Sequence, residues 1–275
     1  MNPSSRQAPK AMNPSVPTSD QILEECSARL WAAEVACTPT ALLSSSHPEL
    51  DVSDAYAIQA ATLRRRGMPA VGFKLGYTSA AMRAQMNIDQ PNFGVLTEAH
   101  RLGADGRPID RGRLIHPRVE PEIALRLGRD LAGAGHDRAS VSRHLDAVMP
   151  ALEVVDTRYP DYRFTLVDNI ADNSSSAGFV TGPALPWQDR FDLGAVEVEL
   201  QIDGQAVDRG RGADAMGDPL LALAWLAGFL AERGLVVPAG AVVLTGGLTR
   251  AQPAERGQFV EAGFGWLGRV QARFG

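Results

Sequence analysis

Two glutamates separated by one residue are the first candidates for chemistry in this sequence. Glu120 and Glu122 lie in the run from His116 to Leu125, and strand side chains repeat every two residues, so both carboxylates point to one face. Two like charges held this close need a cation, a shared proton or full contact with water. Pro121 between them predicts an edge strand or a bulge, because proline cannot donate to a sheet ladder.

A third glutamate favours a cation at this place. Glu153 lies inside the apolar run from Met149 to Val155, where an unpaired charge would cost roughly several kcal/mol of desolvation. Three carboxylates suit a hard divalent cation such as Mg²⁺ or Mn²⁺, which keeps water or substrate at its open positions. On spacing alone, a metal centre at Glu120, Glu122 and Glu153 and a solvated strand face remain alternatives.

Lys74 is the candidate basic partner. It lies in an apolar segment, Val71 to Leu75, that leads into the polar turn Tyr77 to Ser79. In such a setting a lysine can move a proton, or it can hold a substrate carboxylate as a fixed positive charge. The alternative is a lysine whose ammonium group reaches water from a strand edge.

Two polar loops offer hydrogen-bonding groups. The loop from Asp168 to Gly178 is rich in small polar side chains, and the loop from Thr245 to Thr249 offers backbone N–H groups and two hydroxyls that could hold an anion. Neither loop matches a dinucleotide fingerprint or a P-loop, so no nucleotide cofactor is predicted. For His116, a structural hydrogen bond is favoured over metal binding or proton transfer.

Composition narrows the class of protein. The chain has 275 residues, of which 45% are hydrophobic and 21% charged, with a formal net charge of -5. A packed globular enzyme fits these values, whereas scattered arginines on an acidic chain argue against nucleic-acid binding. Two cysteines, Cys26 and Cys37, indicate reduced thiols. We see no apolar run near the roughly 18 residues of a membrane span and no signal peptide, so we expect a cytoplasmic protein without a membrane partner.

The pattern of elements predicts an α+β protein. We expect a flexible tail over residues 1–17, a helical N-terminal region over 18–69 with caps at Thr18 and Ser53, and a β-rich catalytic core over 70–275. Asp203-Gly204 predicts a two-residue hairpin. The remaining expected elements are helices at 140–148 and from Pro219 to Gly234, and strands at 70–75, 119–127, 152–155, 178–181, 196–202 and 241–245.

Six blocks in order resemble one known family. They are Gly72-Phe73-Lys74-Leu75-Gly76-Tyr77-Thr78-Ser79, Gln90-Pro91-Asn92-Phe93-Gly94, His116-Pro117-Arg118-Val119-Glu120-Pro121-Glu122-Ile123-Ala124, Leu152-Glu153-Val154-Val155-Asp156, Ala171-Asp172-Asn173-Ser174-Ser175 and Thr245-Gly246-Gly247-Leu248-Thr249. Together they resemble the 2-keto-4-pentenoate hydratase and 4-oxalocrotonate decarboxylase family, within the fumarylacetoacetate hydrolase superfamily. The resemblance covers about residues 20–274.

This resemblance implies a fold and a set of site residues. The fold is a fumarylacetoacetase C-terminal-like mixed β-roll or sandwich core, preceded by a small helical region. The site residues it implies are Glu120, Glu122 and Glu153 for Mg²⁺ or Mn²⁺, Lys74, Asn92 and Asp172 for catalysis, and Thr78, Ser174, Ser175 and Thr249 for substrate binding. The implied substrate is a small 2-oxo acid of aromatic meta-cleavage catabolism, chelated through its 1-carboxylate and 2-oxo group, and the implied assembly is a homo-oligomer or a complex with the sister enzyme.

The choice between the two activities depends on a few positions. Hydratases that this chain resembles carry an aspartate where it has Asn92, and an amide cannot replace that carboxylate. The run Ile115-His116-Pro117 is closer to decarboxylases, whereas Asp168 is closer to hydratases. We therefore expect a lyase that decarboxylates 4-oxalocrotonate, with 2-keto-4-pentenoate hydration as the alternative and an inactive partner subunit as a third hypothesis.

Overall fold

The computed structural model describes residues 19–79, 83, 88, 90–103 and 106–275. The predicted flexible tail, residues 1–17, and the predicted cap Thr18 lie outside the described residues.

Three helices precede the sheets. They are α1 (Ser19–Ala36), α2 (Leu43–Ser46) and α3 (Val52–Arg66). The cap of α3 is Asp51 and not the predicted Ser53, because Asp51 accepts from the backbone N–H of Asp54 at 2.9 Å while the Asp54 side chain accepts from the backbone N–H of Asp51. Two backbone N–H groups at this helix end are thereby satisfied.

Twelve strands in the described part of the chain form two sheets. They are β1 (Ala70–Gly76), β2 (Asn92–Thr97), β3 (Arg118–Leu127), β4 (Leu145–Val155), β5 (Ser176–Thr181), β6 (Leu185–Pro186), β7 (Glu197–Ile202), β8 (Gln205–Arg211), β9 (Val242–Leu244), β10 (Gln252–Pro253), β11 (Phe259–Gly263) and β12 (Arg269–Arg273). The larger sheet has the order β2-β1-β9-β3-β4-β5, with β10 paired to β3 and β6 to β4. The smaller sheet has the order β12-β11-β7-β8. Strand β9 runs parallel to β1 and antiparallel to β3, so the predicted mixed sheet is confirmed.

The hairpin prediction is confirmed between β7 and β8. Ile202 pairs with Gln205, and the two turn residues, Asp203 and Gly204, have φ values of 51° and 77°. These positive values are what a type I′ turn requires of both its central residues.

One predicted helix is wrong over most of its length. The segment expected to be helical at 140–148 forms only the short helix α4 (Arg138–Ser142), and β4 begins at Leu145. A short apolar run does not distinguish a helix from a buried strand. Here pairing with β3 makes the segment a strand: Val148 lies opposite Leu125, and Asp146 accepts a hydrogen bond from Arg126 at 2.8 Å.

Two further α-helices lie in the described part of the chain, α5 (Leu166–Ala171) and α6 (Pro219–Ala231). The segment Gly212–Ala231 is long and apolar enough to cross a membrane by composition, which the sequence analysis did not recognise. Its regular α-helical part has only 13 residues, about 20 Å, against the roughly 30 Å of a bilayer core. Because Leu220, Leu223 and Leu226 are fully buried in the main core, we interpret α6 as a core helix.

Candidate metal centre and substrate cavity

The register between β3 and β4 brings the three predicted metal ligands together. Glu120 lies directly opposite Glu153, and Glu122 follows two residues along on the same face. One carboxylate oxygen from each glutamate lies within 4.8 Å of the others. Like charges directly opposite each other destabilise a sheet, so this arrangement needs a compensating positive charge.

Pro121 does not mark an edge or a bulge, contrary to the prediction. Strand β3 lies inside the sheet, and the register is regular at this residue. On the side away from β4, β9 pairs only with residues 124–126 and β10 only with 118–119. Pro121 therefore faces the loop after β9, whose Leu248 N–H donates to the Pro121 carbonyl at 3.0 Å, so no ladder donor is required here.

The charge on the three glutamates is costly without a cation. Burial, followed by repulsion from Glu153, raises the pKa of Glu120 to about 7. Burial also raises the pKa of Glu122 and of Glu153 above the usual range. Within the described residues, Glu122 Oε1 and Glu153 Oε1 are buried without a hydrogen-bond partner. Buried acceptors of this kind fit a hard divalent cation.

Lys74 supplies one positive charge to this cluster. Its Nζ lies 3.1 Å from Glu153 Oε2 and donates to the carbonyl oxygen of Ser174 at 3.0 Å. Burial lowers the pKa of Lys74, but Glu153 and the other two glutamates together outweigh burial and raise it. The lysine is thus a buried, protonated group beside the candidate ligands, and the alternative of an edge lysine reaching water is wrong.

An unusual turn positions Ser174 and Ser175. Three successive non-glycine residues, Asn173, Ser174 and Ser175, have φ values of 52°, 52° and 57°. Each left-handed residue costs roughly 1–2 kcal/mol, so the turn needs compensating contacts. The Asn173 side chain provides them, accepting from the Val95 N–H at 2.8 Å and donating to the Val95 carbonyl at 3.0 Å.

Asn92 lies behind this turn and not in the cavity lining. Its Nδ2 donates to Asn169 Oδ1 at 2.7 Å, its Oδ1 accepts from the Ser174 hydroxyl at 2.9 Å, and Asn169 Nδ2 donates to Ser175 Oγ at 3.0 Å. Asn92 is fully buried. The predicted catalytic residue thus holds Ser174 directly and Ser175 through Asn169, and it does not line the cavity.

The loop after β9 supports the ligands and offers little to an anion. Gly246 donates its backbone N–H to Glu122 Oε2 at 2.6 Å, and its φ of 112° with a close approach to Thr78 excludes a side chain. The hydroxyl of Thr245 donates to the Ile123 carbonyl, and that of Thr249 to the Arg250 carbonyl. The prediction of an anion-binding loop is therefore not supported, and Thr249 is absent from the cavity lining.

The glutamates adjoin a cavity of about 590 Å³. Of the predicted site residues, it is lined by Lys74, Thr78, Glu120, Ser174 and Ser175. The sequence analysis assigned no role to several other lining residues, among them Arg118, Tyr162, Phe164, Asn169 and Arg250. Arg118 could have been found, because it precedes Glu120 by two residues on the same strand face.

Two conspicuous aspartates lie outside the cavity lining. Asp172, predicted to be catalytic, is buried in an ion pair with Arg158 and accepts from the Thr157 hydroxyl at 2.8 Å. Asp168, read as a sign of a hydratase, accepts from the backbone and hydroxyl of Ser44 and caps α5 through Thr165. The Asp168 carboxylate therefore joins α5 to α2, the Asp172 carboxylate holds the segment after β4, and the placement of Asp172 does not support a catalytic role.

His116 makes no side-chain hydrogen bond within the described residues, contrary to the structural bond favoured above. Its Nε2 is buried without a partner, and its ring lies 5.0 Å from the ring of Tyr162. It does not line the cavity.

Comparison with known proteins agrees with this architecture. The model of the fumarylacetoacetate (FAA) hydrolase C-terminal family matches residues 70–274. This chain belongs to the FAA hydrolase family. Within it, the chain is 38% identical to a 4-oxalocrotonate decarboxylase of Pseudomonas putida over 84% of its length and 89% of the relative. It is 37% identical to 2-keto-4-pentenoate hydratase 2 of Dechloromonas aromatica over 91% of its length and 97% of the relative.

A solved structure of an FAA hydrolase-like enzyme shares the fold of this chain closely. It is a 4-oxalocrotonate decarboxylase from Pseudomonas putida G7 complexed with magnesium and adipate, with a TM-score of 0.87 and 35% identity over 94% of this chain and 99% of that one. The family, the fold and the lyase class predicted from the sequence are thereby confirmed, and divalent-metal dependence is supported.

Magnesium should stabilise this protein more at pH 8 than at pH 6. The folded pKa of Glu120, about 7, exceeds the ordinary value of 4.5, so between these two values the metal-free fold binds more protons than the unfolded chain and loses stability as the pH rises toward 7. A cation binds only the ionised carboxylates, so its stabilisation grows over the same range. Melting temperatures with and without Mg²⁺ at the two pH values test this, and equal increments would contradict it.

Proposed function

We propose that this protein is a divalent-metal-dependent decarboxylase of 4-oxalocrotonate, giving 2-hydroxypenta-2,4-dienoate. The observation that carries the choice is the state of residue 92. The amide of Asn92 is hydrogen-bonded at both ends, to Asn169 and Ser174, so it provides no carboxylate at the position that carries an aspartate in the hydratases the chain resembles. Addition of water requires placed acid and base groups, whereas loss of CO2 requires no attacking water.

The metal would be held by Glu120, Glu122 and Glu153, with Mg²⁺ or Mn²⁺ as the proposed ions. When bound, the cation supplies a Lewis acid for negative charge on the 2-oxo oxygen of the substrate. The magnesium in the related Pseudomonas putida G7 enzyme supports this assignment. The unpartnered buried oxygens of Glu122 and Glu153 support it independently.

The chain's own residues then serve the reaction as follows. Loss of CO2 breaks the C5–C6 bond, and the electron pair passes along the conjugated chain to the oxygen on C2. Lys74, kept protonated by the glutamates and held by the Ser174 carbonyl, stands beside that charge as a hydrogen-bond or proton donor. Ser174, Ser175 and Thr78 line the cavity as candidate contacts for the substrate.

Sequence identity does not separate this activity from hydration, since decarboxylases and hydratases among the relatives are equally similar. Purified protein with Mg²⁺ should therefore be incubated with 4-oxalocrotonate and, separately, with 2-hydroxypentadienoate. We expect CO2 release from the first and no loss of diene absorbance from the second, with activity lost in EDTA and restored by Mg²⁺ or Mn²⁺. Turnover of the second substrate alone would replace our proposal with the hydratase.

We also propose that the protein is cytoplasmic and forms a homo-oligomer, with a complex with a sister hydratase as a variant of the same idea. Leu221 at the start of α6, and Leu235 and Val236 beyond its end, are exposed apolar side chains that suit a subunit contact. Retention of the three glutamates and Lys74 argues against an inactive partner subunit. Sedimentation velocity tests the assembly, and a monomer at micromolar concentration would contradict it.

A further inference from the structure

Arg118 is a cation in the cavity wall that makes no direct ion pair among the described residues, although Glu120 attracts it electrostatically. It lies two residues before Glu120 on β3, so its side chain shares the face of the glutamates and lines the same cavity. Among the described residues its guanidinium makes no hydrogen bond or ion pair and lies 4.1 Å from the ring centre of Tyr162. A half-buried cation of this kind attracts a carboxylate ligand.

Tyr162 holds the guanidinium in a defined orientation. The tyrosine hydroxyl donates to the Val155 carbonyl at 2.9 Å, which fixes the ring. Stacking on the ring occupies one face of the guanidinium but leaves the N–H donors in its plane free. Arg118 therefore presents a fork of donors that matches the two oxygens of a carboxylate.

The spacing fits the substrate proposed above. Two residues along a strand span about 7 Å, which separates Arg118 from Glu120. In 4-oxalocrotonate, five carbon–carbon bonds of about 1.5 Å place the second carboxylate roughly 6 Å from the first. A substrate whose 2-oxo acid end lies at the glutamates thus brings its far carboxylate near Arg118.

We propose that Arg118 is the specificity-determining residue that binds the carboxylate at the far end of the substrate. This inference rests on the proposed function, because only a dicarboxylate substrate uses such a contact. Arg250, the other arginine among the described residues of the cavity lining, is a weaker candidate. Its side chain is 78% exposed and is 3.2 Å from its ion-pair partner Asp208, so it serves as the matched control.

The contact has a distinctive kinetic signature. The far carboxylate leaves as neutral CO2, so its attraction to Arg118 is present in the bound substrate and weakens toward the transition state. An interaction of this kind lowers KM without raising kcat. Arg118→Met should therefore raise KM for 4-oxalocrotonate by about tenfold or more while kcat is not lowered. A fall in kcat with unchanged KM would overturn the assignment.

A binding experiment separates this inference from the proposed function. Calorimetric titrations in saturating Mg²⁺ compare 2-oxohexanedioate with 2-oxohexanoate, which differ only at the far end. The wild type should prefer the diacid by about tenfold to a hundredfold, Arg118→Met should lose the preference, and Arg250→Met should keep it. Arg118→Lys keeps the charge without the fork of donors, so its preference for the diacid should lie between those of the wild type and Arg118→Met. This variant also tests the inference if Arg118→Met does not fold.

Two results would overturn the inference: a wild type without preference for the diacid, or an Arg118→Met variant that retains it. Failure of the proposed function would give a different result. If the wild type prefers the diacid but releases no CO2 from 4-oxalocrotonate, the binding role of Arg118 stands and the proposed decarboxylation is rejected.

Discussion

Replacing Glu153 by glutamine should reduce metal-dependent turnover by about a thousandfold or more, because Lewis-acid stabilisation supplies several kcal/mol and each 1.4 kcal/mol is about tenfold in rate. The substitution keeps the shape of a fully buried side chain and removes one of three ligand charges. It also leaves Lys74 without its ion-pair partner. Both effects weaken the site without opening a cavity in the core.

The measurement is kcat/KM at saturating Mg²⁺, together with the Mg²⁺ dissociation constant. Glu197→Gln provides the control, since Glu197 is an exposed glutamate on β7 whose partner, Arg211, is exposed as well. Surface ion pairs contribute little, so this variant should behave as the wild type. Near-normal turnover by Glu153→Gln would remove Glu153 from the site.

Replacing Lys74 by methionine should lower kcat by about a hundredfold to ten-thousandfold, the usual loss when a placed proton donor is removed. The same change should tighten Mg²⁺ binding. Lys74 now offsets part of the negative charge of the three glutamates, and without it the cluster attracts a divalent cation more strongly. Opposite effects on metal affinity and turnover would separate the role of the lysine from that of the metal.

Titration calorimetry with Mg²⁺ and steady-state kinetics on the same preparation test this pair of effects. The chain contains only one other lysine, Lys10, so Lys10→Met is a matched control. If Lys74→Met loses metal binding and turnover together while remaining folded, the lysine organises the site and does not act in the chemical step.

The sequence located several strands and the ligand faces, but it missed β2, β11 and β12 and did not show how distant segments meet. Period-two spacing placed Glu120 and Glu122 correctly, and the apolar run around Glu153 marked its charge as exceptional. Their meeting depends on the β3–β4 register, which links residues 33 positions apart in the chain and leaves no local signal. Tertiary pairing likewise decided the segment at 140–148, where composition allowed either a helix or a strand.

Proximity in a motif was a poorer guide to the cavity than strand periodicity. Asp172 and Ser174 are two residues apart, yet only Ser174 lines the cavity, because the left-handed turn at Asn173 to Ser175 redirects the chain. The buried Arg158 needs an anionic partner, and Asp172 is that partner. No pattern in the sequence indicates that pairing, whereas a period of two would have placed Arg118 on the face of Glu120, although we assigned it no role from the sequence.

The side-chain amides of Asn92 and Asn169, behind the turn, orient the hydroxyls of Ser174 and Ser175 in opposite directions. Because Asn92 donates to Asn169, Asn169 presents its amide nitrogen to Ser175, whose own proton is left free to point into the cavity. Ser174 instead directs its proton to Asn92 and turns its lone pairs toward Lys74. A carboxylate at residue 92 cannot donate, so it would turn Asn169 over and draw in the proton of Ser175. The side-chain nitrogen of Asn92, which lies outside the cavity, thus determines whether the Ser175 hydroxyl offers a ligand its proton or a lone pair.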